Sequence, residues 1–175
     1  MVDKDDDISP AAMVFKPEIN WSSDIKASNT TIEDDGMSAK FLPGGGFRYC
    51  RSEQSFTEGS YRYEIEVDFA GKDGQVSFGV AYEPNLSCDA GVYYFTNAYI
   101  YCNYYPSFTK HYNNIHTSTP PKCKDRSKLA INFDFDSKKI FWEIDGQSFE
   151  ELLFDTEGKA CYVVCGMFDG KATFI

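Results

Sequence analysis

Residues Gly59–Pro84 read GSYRYEIEVDFAGKDGQVSFGVAYEP, and the architecture of the whole chain follows from how this stretch folds. Tyr61, Tyr63, Ile65, Val67 and Phe69 alternate with Arg62, Glu64, Glu66 and Asp68. A period of two puts the apolar side chains on one face of a strand and the charges on the other. Gly71-Lys72-Asp73-Gly74 then breaks the pattern, and Asp-Gly tolerates the positive φ of a tight turn. Beyond it Val76, Phe78, Val80 and Tyr82 alternate with Ser77, Gly79 and Ala81. The expectation is a β-hairpin with one buried face.

Working outward, strand and turn signals keep alternating. Downstream, Leu129, Ile131, Phe133 and Phe135 alternate with Ala130, Asn132, Asp134 and Asp136; a turn at 136–139 leads to Ile140, Trp142 and Ile144, and Asp145-Gly146 closes a second tight turn. Residues 149–154 predict an irregular segment or a short strand, and Cys161–Cys165 and Lys171–Ile175 predict two strands around Gly166–Gly170. Upstream, Met13-Val14-Phe15 could open a first strand, and Ile19-Asn20-Trp21 leads into a polar stretch. Asn29–Ile32 reads as a short strand, turned by Glu33–Gly36 into Met37, Ala39 and Phe41. Pro43-Gly44-Gly45-Gly46 is a loop, because three glycines in an element interior cost too much entropy, and Phe47–Cys50 resumes a strand. Between Tyr93 and Tyr112 lie seven tyrosines, and residues 113–127, with Pro120-Pro121, read as a second long loop. No segment holds apolar residues at helical spacing over three turns, so the class is all-β, a sandwich or barrel.

At 175 residues, 42% hydrophobic and 17% aromatic, the chain is long and apolar enough for one domain, placed at 13–175 after an acidic leader at 1–12. A net charge of −10 argues against nucleic acid and anionic membrane as partners, since phosphate contacts need clustered bases. The charge is uneven: residues 1–35 carry nine acids and three bases, whereas 93–128 carry five bases against Asp125 alone. No apolar run approaches the roughly 18 residues of a membrane span. The start, MVDKDDDISP, has no apolar core like that of a signal peptide, so a cytoplasmic location is expected, with the six cysteines as reduced thiols acting as small hydrophobes. Without a CxxC pair no zinc site is expected, and nothing calls for a cofactor.

These residues carry a family pattern. Gly59–Val67 resembles the first long strand of SPRY domains, and Gly74–Ala81 is similar to the strand that follows it. Lys128–Phe135 with Ile140–Gly146 resembles the family's long hairpin. Leu152–Phe154, Tyr162–Val164 and Lys171–Phe174 fit its closing strands, while Asn20-Trp21 and Thr31–Gly36 fit the start of adaptor-type members. Two features depart from the pattern: Asp125-Arg126-Ser127 stands where a glycine is usual, and a Tyr-rich loop replaces a Trp-Gly pair. The resemblance implies a concanavalin-like, two-layer antiparallel β-sandwich. It also implies a non-catalytic, monomeric module that binds a short segment of a partner protein through rim loops, as the substrate-recognition part of a ubiquitin ligase or an adaptor.

Carried over by position, the implied site falls on Lys40–Arg51, on Tyr82–Tyr94 and on the turn at Met167, Phe168 and Asp169. The residues singled out are Phe41, Arg48, Arg51, Tyr82, Tyr93, Tyr101, Tyr104, Tyr105, Met167, Phe168 and Asp169. Tyrosine offers rigid contact area with a polar tip, and alternation cannot bury Tyr101, Tyr104 and Tyr105 on one face. Phe168 is an apolar residue where a turn expects a polar one. The bland readings are a Tyr101 packed in the sandwich, a Phe168 folded onto its rim, and Arg48 and Arg51 as solvated charges opposite Glu53 or Glu58. Two rivals share the fold class: a sugar-binding sandwich, and a jelly-roll glycosidase using Glu64, Glu66 and Asp68, whose same-face spacing approaches that of a retaining pair. His111 and His116 have no Ser or Cys nucleophile at motif spacing.

Overall fold

The computed structural model describes residues 18–44, 46–82, 88–89, 97–103, 108–111, 114–117, 121 and 123–175, with 108–111 and 114–117 described by backbone alone. Fourteen strands are described: β1 Trp21–Lys26, β2 Thr30–Glu33, β3 Ser38–Phe41, β4 Arg48–Ser52, β5 Ser60–Asp68, β6 Val76–Ala81, β7 Ala98–Cys102, β8 Phe108–His111, β9 Asn114–Thr117, β10 Lys128–Asp134, β11 Lys139–Ile144, β12 Gln147–Leu153, β13 Tyr162–Met167 and β14 Gly170–Phe174. A single 3-10 turn at Asp34–Gly36 is the only helical element among the described residues. Two seven-stranded antiparallel sheets result, one in the order β1-β4-β13-β6-β7-β8-β9, the other β12-β11-β10-β5-β14-β3-β2. The all-β sandwich expected from the sequence is what forms.

The layers meet where the alternation said they would. Tyr63, Ile65 and Val67 of β5 are fully buried, and they pack with Phe78 and Val80 of β6, Ile131 and Phe133 of β10, and Trp142 of β11. Each such side chain contributes roughly 1.5–3 kcal/mol by leaving water. Between the layers, Trp142 Nε1 donates to Phe78 O at 2.9 Å. The β10–β11 and β11–β12 hairpins form as expected, and Asp145 (φ 50°) with Gly146 (φ 81°) supplies the two positive φ values of a tight, strand-matched turn.

Three expectations fail. β5 and β6 are not a hairpin: β5 pairs with β10 and β14, and β6 pairs with β13 and β7 in the other sheet. The reason is the second face of β6, where Ser77, Gly79 and Ala81 are small enough to be covered too, so that the strand sits mid-sheet with both faces buried. The polar stretch after Asn20 is strand β1, and 114–117 within the supposed long loop is strand β9, paired with β8. The first strand suggested at Met13–Phe15 lies outside the described residues. Among the described strands the chain changes sheet seven times, and five of those changes fall at the end where β3 finishes and β14 begins. The two at the opposite end are tied to each other by an isolated bridge between Phe56 and Cys161.

Candidate functional site

That crowded end forms a rim. β13 stops at Met167 and β14 starts at Gly170 in the other sheet, so Phe168 and Asp169 alone span the gap between layers. A short crossover has no room to fold Phe168 inward, and its ring is 46% exposed. Phe41 pairs with Gly170, which leaves Leu42, 44% exposed, beside this crossover. A cleft of about 200 Å3 separates Phe168 and Asp169 from the 69–75 connection, with Lys72 and Asp73 on its far wall.

The cleft wall is held from below. Asp125 accepts the backbone N–H of Phe69 at 2.6 Å and that of Gly71 at 2.9 Å. Asn103 accepts the N–H of Val76 at 2.8 Å and donates to Gly74 O at 3.1 Å. Charged and amide side chains that satisfy turn backbone fix its shape before any ligand arrives. Arg48, at the start of β4, donates through Nη1 to Asp89 O at 2.9 Å, and its Nε lies 3.5 Å from the Asp89 carboxylate. Asp89 also receives the Ser28 N–H and hydroxyl, both at 3.3 Å. Arg48 is therefore a strut between loops, paired with Asp89 rather than with Glu53 or Glu58.

The residues singled out from sequence divide sharply. Phe168 and Asp169 are exposed at the rim, and Arg48 is half-buried beside it. Phe41, Tyr82, Tyr101 and Met167 are core residues, which corrects their assignment as side chains offered to a ligand. Phe41 and Met167 point between the layers, and so does Tyr101, which packs edge-on to Phe149 of the other sheet at 5.0 Å. Tyr93, Tyr104 and Tyr105 lie outside the described residues. Arg51 is half-buried on the outer face of its sheet, its guanidinium carbon 3.9 Å above the Tyr162 ring centroid. Lys72 and Asp73 lay outside the segments carried over from the resemblance; Leu42 lay within Lys40–Arg51 but was not singled out, although a leucine directly ahead of Pro43-Gly44 was the available signal.

Compared with protein-family models and with curated proteins, the sequence matches none. Solved structures do match. The SPRY domain of human HERC1 superposes with a TM-score of 0.71 at 16% identity, over 88% of this chain and 96% of that one. The fold is that of a SPRY domain. The PSpry domain of TRIM65 agrees at TM-score 0.72 and 16% identity, covering 91% of this chain and 90% of its own. Stonustoxin contains the same fold, with TM-score 0.70 and 11% identity, over 92% of this chain and 27% of its length. The SPRY resemblance read from Gly59–Ala81 and Lys128–Gly146 thus holds at the level of fold.

Around this SPRY scaffold the remaining candidate groups have structural partners. The carboxylates raised for glycoside chemistry stand on the outer face of β5. Glu64 takes Arg62 Nη2 at 2.6 Å, while Glu66 and Asp68 each take a nitrogen of Arg126 at 3.0 Å. None of the six cysteines is in a disulfide, and all are buried. Burial pushes the Cys88 thiol up to about 11 and Cys123 to about 12, so neither offers a thiolate near neutral pH. No cluster of three or more His, Cys, Asp or Glu suited to a metal occurs among the described residues. No helix among them is long and apolar enough to cross a membrane.

Proposed function

We propose that this chain is a protein-interaction module that seats a short segment of a partner protein across the rim, with Phe168 and Leu42 as apolar anchors. The observation that carries the reading is Phe168, an aromatic ring nearly half exposed on a two-residue crossover beside a cleft whose walls are already pinned. Exposed aromatic and aliphatic side chains next to satisfied polar backbone match the anatomy of recognition surfaces, and a preformed site spares the ordering cost of binding. Lys72, Asp73 and Asp169 supply a polar border of both signs. The finer role, substrate recognition within a ubiquitin ligase or adaptor, belongs to the same proposal.

Capture with the isolated chain followed by peptide mapping of the partner identifies the segment. Phe168→Asp and Leu42→Asp are then expected to weaken its binding at least tenfold while the melting temperature stays within a degree or two of wild type. Undiminished binding by both variants overturns the assignment. A parallel fall in melting temperature makes the two residues structural and overturns it too.

A further inference from the structure

At the other end of β14 the surface is built differently. Ile19, Met37, Tyr63, Phe174 and Ile175 line a cavity of about 520 Å3, within the size range of sites that take a side chain or small molecule. Trp21 backs this floor by stacking on Phe174, ring centroids 4.1 Å apart. The charged residues lining it, Glu18, Asp35 and Glu64, are all acidic. Glu64 shares its charge with Arg62, whereas Glu18 and Asp35 are exposed and form no ion pair among the described residues. Tyr63 Oη is buried without a hydrogen-bond partner among the described residues. Burial also holds that phenol above its ordinary range, so it stays a neutral O–H able to donate or accept.

An apolar floor, an unspent hydroxyl and three carboxylates, with no base among the described lining residues, select one chemistry. We propose that this cavity takes a basic side chain of a second polypeptide, an arginine or lysine flanked by apolar residues, with its methylene stem on Met37 and Phe174 and its cation between Glu18 and Asp35. Lysine and arginine stems lie along apolar surface while their heads seek charge. The chain's net charge of −10 favours encounter with such a segment. The cavity lies at the far end of β14 from the Phe168 rim, so it constitutes a second contact area, independent of the first.

The test uses the full chain and two amidated peptides, acetyl-Gly-Leu-Arg-Leu-Gly and its counterpart with Glu for Arg, followed by amide NMR shifts. The Arg peptide is expected to perturb Met37, Tyr63 and Phe174, to bind at least tenfold tighter than the Glu peptide, and to weaken as salt rises. The E18Q/D35N double variant, altered only at exposed side chains, is expected to lose roughly three- to tenfold in affinity at an unchanged melting temperature. Phe168→Asp is expected to leave this binding untouched, which separates a failure here from a failure at the rim. Equal affinity for both peptides, shifts confined elsewhere, or no binding at millimolar peptide overturns the proposal. So does binding seen only when Met13, Val14 and Phe15 are changed to serine, since the chain's own residues 13–15 would then be the occupant.

Discussion

Strands β5 and β6 follow each other in sequence, share a period of two, and end in opposite situations. β5 has one face in the core and one against solvent, where Arg62 links Glu64 to Glu143, and Arg126 links Glu66 to Asp68. β6 is buried throughout, its second face closed under Tyr49, Ile100 and Val164. The size of the alternate residues accounts for the difference. Charged residues at every second position require water or ion pairs, whereas Ser77, Gly79 and Ala81 let neighbouring backbone and side chains close over them.

The sharpest way to break that comparison is to put the same residue on each second face. A Cβ at Gly79 would stand 2.0 Å from Tyr99 O and 2.8 Å from Ile100 Cα, both backbone atoms that cannot swing aside. Gly79→Val is expected to cost about 3 kcal/mol or more in urea unfolding. Glu66→Val, on the solvated face of β5, is expected to cost less than about 1 kcal/mol. Similar losses at the two positions would mean that the faces do not differ as described.

A milder probe removes one buried polar contact. Ser77 Oγ donates to Tyr49 Oη at 2.7 Å inside the second face of β6, and Ser77→Ala is expected to cost about 1–2 kcal/mol by the same measurement. No loss would show that water reaches that face.

The smallest effect concerns pH at the solvated sheet. Burial raises the Asp134 carboxyl, but the backbone N–H groups of Ser137 and Asp136, at 2.9 and 2.8 Å, outweigh it and hold the group below its ordinary value of 3.8. A lowered native value means the unfolded chain binds the proton more readily. The contribution is therefore complete above about pH 4 and is lost as pH falls through the native value. Asp134→Asn is expected to trail wild type at pH 7 and to converge with it near pH 2. A gap unchanged across that range would show that the carboxylate's charge is not what the turn uses.

The same contrast explains what the sequence made legible. Alternation named the core face of β5 and of β10 correctly: in β5 the charges between apolar residues exclude the alternative, and in β10 the larger Leu129, Ile131 and Phe133 outweigh Ala130 and Asn132. Asp145-Gly146 announced its hairpin, since two positive φ values suit few other residues. Gly71–Gly74 announced a change of direction but not the destination, and a turn looks alike whether the next strand pairs with the last or crosses to the other layer. The exposure of Phe168 and Asp169 was readable because an aromatic between glycines has little chain in which to hide. The burial of Tyr101 was not, because it depends on Phe149 of the opposing sheet, far away in the sequence. Phe41, Tyr82 and Met167 adjoin loops but point inward, and one step in a strand reverses a side chain.

Five layer changes at one end and two, bridged through Phe56 and Cys161, at the other make the sandwich unequal in its tolerance of length. A connection between layers has no ladder of its own to keep in register, and closing a longer one adds little entropy cost. Additional residues between Pro43 and Gly46 would lengthen a lip, whereas the same number beside Phe56 would prise apart the single bridge there. The scaffold can thus acquire new reach at one pole while the other keeps its dimensions.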